Sequence, residues 1–473
     1  MTTITIRRLA VALAVAIGLL PGSTSIGTAS QDARQSASLV VTGGTVVTMD
    51  DARRVIAPGA VAVSGRDIVA VGTAAEIAAR FRAAETIDAT GQVVLPGLIN
   101  THTHAAMVLY RGLGSDLDLQ DWLTRYIFPA EGRTVSPEFV RAGTRLAALE
   151  MIRGGTTTFV DMYYFEEEVA EAAREAGLRG VLGQTVIQFP VADAKTPAEA
   201  FARARAFVAR YKDDPRVTPA IAPHSMYTLD AADLRAADRF ARDHGVPLLI
   251  HLEETRRERE DAQKAHGMSP TAYLQSLGVL GPHVLAAHGV WLAPADIAAL
   301  AGAGASLSHN PESNMKLASG VAPLAGYQAA GVAVGLGTDG AASNNDLDMF
   351  EAMRQAAFLQ KVVRGDPTAA PASLMLELAT RQGAAAIGMS DRIGQLTPGR
   401  RADLIIVDTT SPHLQPMFDP VAQVVYAAKA SDVRTTVVDG RILMHDRVVR
   451  TLQAASVLAD ARKMAERVRA AIE

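Results

Sequence analysis

Eight short apolar segments, alternating with helical patterns, occupy the centre of this 473-residue chain. The apolar segments predict strands at residues 94–104, 156–162, 180–187, 218–225, 247–253, 284–290, 306–310 and 332–339. The intervening patterns predict helices, for example at residues 137–153, 166–176, 197–211 and 231–244. Eight consecutive strand–helix units predict an α/β fold, a TIM-like (β/α)8 barrel, in which active sites lie at the C-terminal ends of the strands.

The segments on either side of this centre are rich in short strands and turns. Strands are predicted before it at 39–47, 60–63, 68–71, 86–87 and 92–95, and after it at 402–407, 421–428 and 433–450, with Asp439-Gly440 as a hairpin turn. They predict a composite β-sandwich domain formed by both flanks. The expected organisation is a first sandwich part at 31–94, the barrel at 95–394, and a second sandwich part with a C-terminal helix at 395–473.

The N-terminal segment has the layout of a secretory signal peptide. Arg7 and Arg8 precede an apolar run at 9–20, Pro21 and Gly22 interrupt the chain, and small residues follow. The run is short for a bilayer span, although a retained anchor is the alternative. We therefore expect residues 1–30 to be removed and the protein to be exported, either periplasmic or secreted. The arginine pair leaves Sec and twin-arginine export open.

Composition restricts the partners. The formal net charge of −4 gives no indication of nucleic-acid binding or of attraction to an anionic membrane. The chain has no cysteine, so a metal site has to use His, Asp, Glu or water. We expect a small-molecule substrate, no stable membrane insertion after processing, and a homo-oligomer.

Six of the eleven histidines lie at the ends of predicted barrel strands. They are His102, His104, His224, His251, His288 and His309. His102 and His104 are two residues apart, so on a strand both side chains point the same way, and converging imidazoles suit zinc or another divalent transition metal. An exposed polar strand end is the alternative interpretation.

Four positions at or near strand ends suit catalysis or metal binding. His251 ends an apolar strand and matches the paired histidines as a ligand, although a structural histidine is the alternative. Asp339 ends the eighth strand, where it can bind metal and orient water or instead cap a helix. Glu254, three residues after His251, is a general acid/base or a surface acid at the start of a charged helix at 253–261. His288 is a proton shuttle or a core histidine.

These motifs resemble those of the amidohydrolase superfamily, most closely the branch of the S-adenosylhomocysteine and methylthioadenosine deaminases and the triazine chlorohydrolases. They are Pro96-Gly97-Leu98-Ile99-Asn100-Thr101-His102-Thr103-His104, Pro223-His224-Ser225, Ile250-His251-Leu252-Glu253-Glu254-Thr255, Ala287-His288, Ser308-His309-Asn310-Pro311 and Gly337-Thr338-Asp339-Gly340. The resemblance covers residues 39 to the C-terminus. It implies an enzyme that hydrolyses carbon–nitrogen bonds other than peptide bonds, a cyclic amidine deaminase.

The resemblance also implies roles for single residues. One divalent metal, zinc or alternatively iron(II), would be held by His102, His104, His251 and Asp339. Glu254 would protonate a ring nitrogen, and His288 and Asp339 would take and relay the proton of the attacking water. The substrate-binding set would comprise Glu131, His224, Glu254 and His309, with Glu131 accepting hydrogen bonds from ribose hydroxyls.

Two absences refine this expectation. The fourth predicted strand, 218–224, contains no lysine to bridge two metals, so one metal ion is expected. The segment 183–197 contains no arginine to bind a homocysteine carboxylate, and Lys195 is its one basic residue. The expected substrate is an adenine nucleoside: adenosine, 5′-deoxyadenosine, methylthioadenosine or S-adenosylhomocysteine.

Two alternatives stay open. The same fold could hydrolyse another aminated N-heterocycle as an amidohydrolase or a chlorohydrolase. A non-catalytic metal-bearing binding protein is the alternative of another class, and the full set of Glu254, His288 and Asp339 argues against it, because binding alone requires no proton relay.

Overall fold

The computed structural model describes residues 34–472. The predicted signal peptide at 1–30 lies outside the described residues. Within the described part, no helix combines the length and the apolar character that crossing a membrane requires.

Nine strands from both ends of the chain form one mixed sheet, and eight central strands form a second, parallel sheet. In chain order the strands are β1 Gln35–Val47, β2 Val55–Ser64, β3 Asp67–Thr73, β4 Phe81–Asp88, β5 Val93–Pro96, β6 Leu98–Thr103, β7 Thr156–Tyr163, β8 Arg179–Val186, β9 Val217–Pro223, β10 Leu248–Leu252, β11 Val284–His288, β12 Ser306–His309, β13 Val334–Leu336, β14 Leu404–Val407, β15 Val433–Val438, β16 Arg441–His445 and β17 Val448–Val449.

Helices cover the barrel and connect its strands. The α-helices are α1 Ala74–Arg80, α2 Leu119–Trp122, α3 Phe128–Thr134, α4 Pro137–Arg153, α5 Glu166–Ala176, α6 Pro197–Tyr211, α7 Ala231–His244, α8 Arg256–His266, α9 Pro270–Ser276, α10 Pro294–Ala303, α11 Pro311–Lys316, α12 Leu324–Ala330, α13 Met349–Arg364, α14 Ala372–Leu378, α15 Arg381–Ala386, α16 Pro420–Tyr426 and α17 Ala454–Ile472. Short 3-10 helices lie at Ala105–Tyr110, Pro412–Leu414 and Ala430–Asp432, and a π-helical turn at Leu123–Ile127 joins α2 to α3.

The predicted (β/α)8 barrel is confirmed. Strands β6 to β13 are parallel and follow one another in sequence order around the sheet. The last and first strands meet through the Asp339 amide, which donates to the His102 carbonyl at 3.0 Å. The Asn100 side-chain amide also donates to Thr338 Oγ1 at 2.8 Å, with both residues fully buried. Closure of the barrel thus brings the His102 motif on β6 into contact with the Asp339 motif after β13.

The composite β domain predicted from the two flanks is also confirmed. Strand β5 is its centre, because it pairs in parallel with β1 and antiparallel with β14, so strands from both ends of the chain belong to one hydrogen-bonded sheet. Side chains from both ends share one apolar core, in which Val41 and Val94 pack with Ile406 and Val437. The barrel is therefore inserted into a domain that both ends of the chain complete together.

The strand predicted at 94–104 is divided in the structure. Residues Val93–Pro96 belong to the mixed sheet, and the barrel begins at Leu98. The break falls at Gly97, where a Cβ atom would lie 2.2 Å from the Thr157 side chain. The apolar run alone could not reveal this break, since both halves are buried strands.

The strand predicted at 421–428 is wrong, because Pro420–Tyr426 is a helix. Its run of valines favours a strand. Asp419, however, accepts hydrogen bonds from the Val421 and Ala422 amides, and Pro420 occupies the first helical position. An Asp N-cap followed by proline is a strong helix start. These local signals outweigh the β-propensity of the valines.

Candidate active site

Three imidazoles and one carboxylate converge at the C-terminal end of the barrel. His102 Nε2 and His104 Nε2 each lie 3.4 Å from Asp339 Oδ1, and His251 Nε2 lies 3.3 Å from His104 Nε2. Four ligands placed tetrahedrally about 2.0–2.1 Å from one zinc ion would be about 3.3 Å apart. The donor spacing therefore fits a single divalent metal ion.

Hydrogen bonds prepare two of these histidines for metal binding. His104 Nδ1 donates to the Met162 carbonyl at 2.7 Å, and His251 Nδ1 donates to the His224 carbonyl at 2.8 Å. A carbonyl can only accept, so each ring has its proton on Nδ1 and a free lone pair on Nε2. His102 Nε2 is buried and has no hydrogen-bond partner among the described residues. All three rings thus direct an available nitrogen to the same point.

Charge states at this point also suit a metal. Burial lowers the pKa of His102 to about 4 and holds the pKa of His251 well below its usual range, so both rings are neutral. Burial raises the pKa of Asp339, but the contact with His102 and the electrostatic effect of the neighbouring His104 and His288 outweigh it and keep the pKa well below the usual value. Neutral imidazoles and an ionised carboxylate are the forms that bind metal.

Asp339 is fixed by its backbone and by two hydroxyl groups. Its φ of 63° lies in the left-handed region, and its Oδ1 accepts a hydrogen bond from the Gly340 amide at 2.7 Å. Ser313 Oγ and Ser343 Oγ donate to Oδ2 at 2.7 and 2.9 Å. A strained conformation held by this many contacts is typical of a functional position.

Glu254 lies in the turn after β10 and is buried, with 5% of its surface exposed. The charged helix predicted from residue 253 begins at Arg256, so Glu254 precedes it. The Glu258 carboxylate accepts the amides of Glu253 and Glu254, both at 3.0 Å, and thereby holds this turn. Burial raises the pKa of Glu254, and the negative charge of Asp339 contributes to the rise. The carboxyl can consequently carry a proton closer to neutral pH than an exposed glutamate.

His288 faces both acids. Its Nε2 lies 3.9 Å from Glu254 Oε2 and 4.0 Å from Asp339 Oδ2. Its Nδ1 lies 2.9 Å from Asn314 Oδ1 and 3.4 Å from Asn310 Nδ2, and the shorter contact, in which Nδ1 donates to the amide oxygen, leaves Nε2 available to accept a proton. The ring is 1% exposed, and the residue has a φ of 77°. This geometry suits a proton acceptor between the two carboxyl groups.

A cavity opens onto these side chains. One wall is apolar and comes from the segment around α2 and the π-helical turn, with Leu119, Trp122, Leu123 and Ile127. Pro129 follows this turn and has no amide hydrogen to donate, which explains why regular α-helical bonding does not continue through it. No sequence motif predicted this wall.

Glu131 and His224 both line the cavity. Glu131 lies in α3, where it is 7% exposed, and its Oε1 accepts a hydrogen bond from the Tyr163 hydroxyl at 2.7 Å. Burial raises the pKa of Glu131 to about 7, although hydrogen bonding from Tyr163 and Tyr164 opposes the rise. Burial also lowers the pKa of His224 to about 3, so this ring is neutral.

His309 is placed differently from His224, Glu131 and Glu254, the other predicted substrate-binding residues, which line the cavity. It is 1% exposed at the end of β12, does not line the cavity, and has no hydrogen-bond partner for either ring nitrogen within residues 34–472. Burial lowers its pKa to about 4. The structure therefore places His309 behind the cavity wall rather than on it.

Several residues that support the site were not identified from the sequence. Tyr163 contacts Glu131, Asn314 orients His288, and Ser313 and Ser343 hold Asp339. Asn314 and Ser313 follow the Ser308–Pro311 motif by a few residues, so a search for polar residues on the first turns after that strand would have found them. Tyr163 ends the second barrel strand, a position that the same search would also include.

Comparisons with known proteins agree with this geometry. The amidohydrolase family model matches residues 93–443. The 5-methylthioadenosine/S-adenosylhomocysteine deaminase of Syntrophobacter fumaroxidans is 47% identical over 433 residues, which cover 92% of this chain and 99% of that protein. The solved structure of an adenosine deaminase from Xanthomonas campestris with bound zinc is 39% identical, has a TM-score of 0.91, and the match covers 92% of this chain and 100% of that chain.

An atrazine chlorohydrolase from Arthrobacter aurescens, solved with zinc, shares the fold at 24% identity, with a TM-score of 0.84 over 90% of this chain and 100% of that one. The chain belongs to the amidohydrolase family. It is a hydrolase that acts on carbon–nitrogen bonds. The resemblance identified from its motifs is thereby confirmed.

Proposed function

We propose that this amidohydrolase is a hydrolytic deaminase of adenine nucleosides that uses one divalent ion, zinc, held by His102, His104, His251 and Asp339. The observation that carries the proposal is the position of Glu254 and His288 beside that ligand set, with 3.9 Å between His288 Nε2 and Glu254 Oε2. A carboxyl group that donates and an imidazole that accepts are the two groups that exchange of an amine for water requires.

Glu254 acts on the ring nitrogen of the base. Because burial raises its pKa, the carboxyl can deliver a proton to the ring nitrogen next to the amine-bearing carbon. Protonation there accepts the electron pair that moves onto the nitrogen when water adds to the carbon. The ring nitrogen keeps this proton in the product, and Glu254 is protonated again by the proton of the added hydroxyl group as the carbon–oxygen double bond forms.

His288 and Asp339 act on the water. His288 Nε2 and Asp339 Oδ2 are 4.0 Å apart, so one water molecule can contact both. They accept the proton released as the new carbon–oxygen bond forms and pass it to the departing amine, which leaves as ammonia. A divalent ion held at the site would supply Lewis acidity and lower the pKa of water.

The remainder of the cavity suits a nucleoside. Glu131 offers a carboxylate to the ribose hydroxyls, and the wall formed by Leu119, Trp122 and Ile127 suits an apolar 5′ substituent. The similar protein from Syntrophobacter fumaroxidans is named a deaminase of methylthioadenosine and S-adenosylhomocysteine. We place methylthioadenosine, adenosine and 5′-deoxyadenosine before S-adenosylhomocysteine, because residues 183–197 contain no arginine for the amino-acid carboxylate.

Export and assembly form part of the proposal. The positively charged start, apolar run and small residues of the first 30 positions support removal of a signal peptide and a periplasmic or secreted location. We also propose a homo-oligomer, which size-exclusion chromatography with light scattering of the purified protein would establish.

The test is ammonia release from the zinc-loaded protein. The substrates are adenosine, 2′-deoxyadenosine, adenine, methylthioadenosine and S-adenosylhomocysteine, with a chlorinated triazine as the comparison heterocycle. We expect kcat/KM to be highest for a ribonucleoside, and S-adenosylhomocysteine to gain little over methylthioadenosine. Hydrolysis of the triazine without ammonia release from any nucleoside would replace the proposed function with that of a heterocycle hydrolase.

A further inference from the structure

We propose that Tyr163 is a positioning residue for substrate recognition: its hydroxyl fixes the Glu131 carboxylate so that the remaining lone pairs accept both hydroxyls of a ribose cis-diol. The inference rests on the proposed function, since it assumes that a nucleoside occupies the cavity. It adds a residue, a geometry and a pH dependence to that function.

The hydrogen bond between Tyr163 and Glu131 is the geometric basis of this role. The Tyr163 hydroxyl donates to Glu131 Oε1 at 2.7 Å, and both side chains line the cavity while being almost completely buried. A carboxylate has about four lone-pair sites. Because Tyr163 occupies one of them and Tyr164 also hydrogen-bonds this carboxylate, the plane of the carboxylate is set before substrate binds, and the remaining lone pairs are left for donors in the cavity.

The backbone around Tyr163 is held in place by two other carboxylates. Its amide donates to Glu166 Oε1 at 2.7 Å, and the Phe165 amide donates to Asp193 Oδ2 at 2.9 Å. Phe165 has a φ of 53°, a conformation that needs such support. The hydroxyl is thus presented to Glu131 by a rigid turn at the end of β7.

The same strand end also contacts the metal ligands. The carbonyl of Met162 accepts the His104 Nδ1 proton at 2.7 Å, and the next residue, Tyr163, holds Glu131. Two neighbouring residues on one strand therefore fix the distance between the reacting centre and the group that binds the sugar. A nucleoside bridges these two points, whereas a free base reaches only the first.

Protonation of Glu131 should change the preference for ribose over 2′-deoxyribose, and this change can be measured. The titratable groups that face Glu131 are Tyr110, Tyr163 and Tyr164, and burial raises the pKa of each above its usual value, so they stay neutral. Burial raises the pKa of Glu131 to about 7, and the Tyr163 hydrogen bond opposes this rise. Ionised Glu131 accepts two hydroxyl protons, whereas its protonated form loses one acceptor site to its own proton.

The sign of the pH effect follows from these facts. In the wild type, the preference for ribose over 2′-deoxyribose is present above the pKa of Glu131 and declines as the pH falls through about 7. Tyr163→Phe removes a hydrogen bond that favours the charged carboxylate, which raises the pKa of Glu131. The decline therefore moves to higher pH, and the preference at neutral pH falls.

The experiment compares kcat/KM for adenosine and 2′-deoxyadenosine between about pH 5 and pH 9, a range that spans the ordinary and shifted pKa of a glutamate. Tyr163→Phe should lower the ribose preference at pH 7 about tenfold, the scale of one hydrogen bond to a charged group, and should shift its midpoint upward. The loss of kcat/KM should be larger for adenosine than for 2′-deoxyadenosine, which presents one hydroxyl fewer to Glu131. Glu131→Asp breaks the same contact from the other side and should reproduce the loss.

Tyr110→Phe is the matched control. The Tyr110 hydroxyl contacts Thr134 Oγ1 at 2.7 Å rather than Glu131, so this variant should keep the wild-type preference and midpoint. A Tyr163→Phe enzyme whose preference and midpoint equal those of the wild type would overturn the proposal. Equal loss of activity toward both nucleosides at every pH would also overturn it, since that result indicates a structural role only.

Calorimetric titration of both nucleosides into the zinc-loaded wild type and Tyr163→Phe separates this inference from the proposed function. If neither nucleoside is deaminated, the proposed function fails. Binding still tests the inference in that case: a ribose preference that Tyr163→Phe diminishes supports the positioning role, and a preference that does not change, or no binding of either nucleoside, contradicts it.

Discussion

At the scale of single residues, burial and the neighbouring His288 shift the pKa of Glu254 in opposite directions. Its environment is buried, which favours the protonated carboxyl, while His288 at 3.9 Å favours the ionised form. A group balanced in this way can donate a proton and recover it in one catalytic cycle. The turn that carries it is fixed through the backbone by Glu258 and not through the Glu254 side chain, so the carboxyl can be altered without loss of the turn.

Glu254→Gln should retain the fold and one equivalent of bound metal but lose about 10²-fold or more in kcat, the scale of general acid–base catalysis. The amide has the size of the carboxyl group but cannot transfer the proton. Glu260→Gln, an exposed position on the following helix, is the matched control and should leave kcat unchanged. Steady-state kinetics and elemental analysis of both variants provide the measurement. Wild-type turnover by metal-loaded Glu254→Gln would remove Glu254 from the mechanism.

The residues that could be predicted from the sequence are those with a strong local signal. His102, His104, His251, His288 and Asp339 each end an apolar segment, and the fold places the ends of parallel strands together. Pairings across long stretches of chain, such as Tyr163 with Glu131, have no such signal, because they depend on where the segment after β6 packs.

His309 has the same strand-end signal, but unlike His104, His251, His288 and Asp339 it does not line the cavity. Its strand β12 is one of the shorter ones, and its ring points into the protein, so the chemistry of the position could not be read from the pattern alone.

At the scale of elements, helices with clear start signals matched the sequence pattern residue for residue. Helix α4, for example, begins with Ser136, whose hydroxyl accepts the Phe139 amide, and with proline at its first position. The segment after β6 was not interpretable in this way. It combines a 3-10 helix, a short α-helix, a π-helical turn and α3, none of which has a sustained period of 3.6 residues.

The C-terminal helix α17 supports that irregular segment. Its buried residues Val457, Met464 and Val468 face the barrel, and the Arg133 guanidinium on α3 donates to the Ala471 carbonyl at 2.7 Å. Since α3 carries Glu131, the helix contributes to the position of the cavity wall. Its amphipathic pattern predicted a helix but not the surface that it covers.

Met464→Ala should lower the free energy of unfolding by about 2–5 kcal/mol, because it removes a buried methionine side chain and leaves a cavity. Leu458→Ala is the matched control on the same helix: Leu458 is 39% exposed, and its loss should cost less than about 1 kcal/mol. Urea unfolding followed by circular dichroism gives both values. Equal costs for the two substitutions would show that α17 does not pack as described.

At the scale of the whole molecule, a buried ion cluster joins the barrel to the mixed sheet. Arg179 begins β8 at the end of the barrel opposite the cavity, and its Nη2 lies 3.1 Å from Asp403 Oδ2 and 2.6 Å from Asp439 Oδ1. Burial would lower the pKa of Arg179, but the charges of the two aspartates outweigh it and raise the pKa. Asp403 also accepts the Asp439 amide at 2.7 Å, so the hairpin turn of the sheet domain is included in the cluster.

Arg179→Met should therefore lower the free energy of unfolding of the whole protein. It leaves two carboxylates buried without their partner, and breaking a buried pair in this way costs about 3–5 kcal/mol. Arg401→Ala is the matched control: it removes a pair of similar length, 2.7 Å to Asp67, within the mixed-sheet domain, but the side chains there are 31% and 47% exposed, so the cost should stay below about 1 kcal/mol. Urea midpoints measure both.

Because Arg179 lies at the far end of the barrel from the cavity, kcat/KM per folded molecule should remain near the wild-type value in both variants. A midpoint for Arg179→Met equal to that of Arg401→Ala would show that the cluster does not bind the two domains together, and a selective loss of kcat/KM would show that its effect extends to the active site.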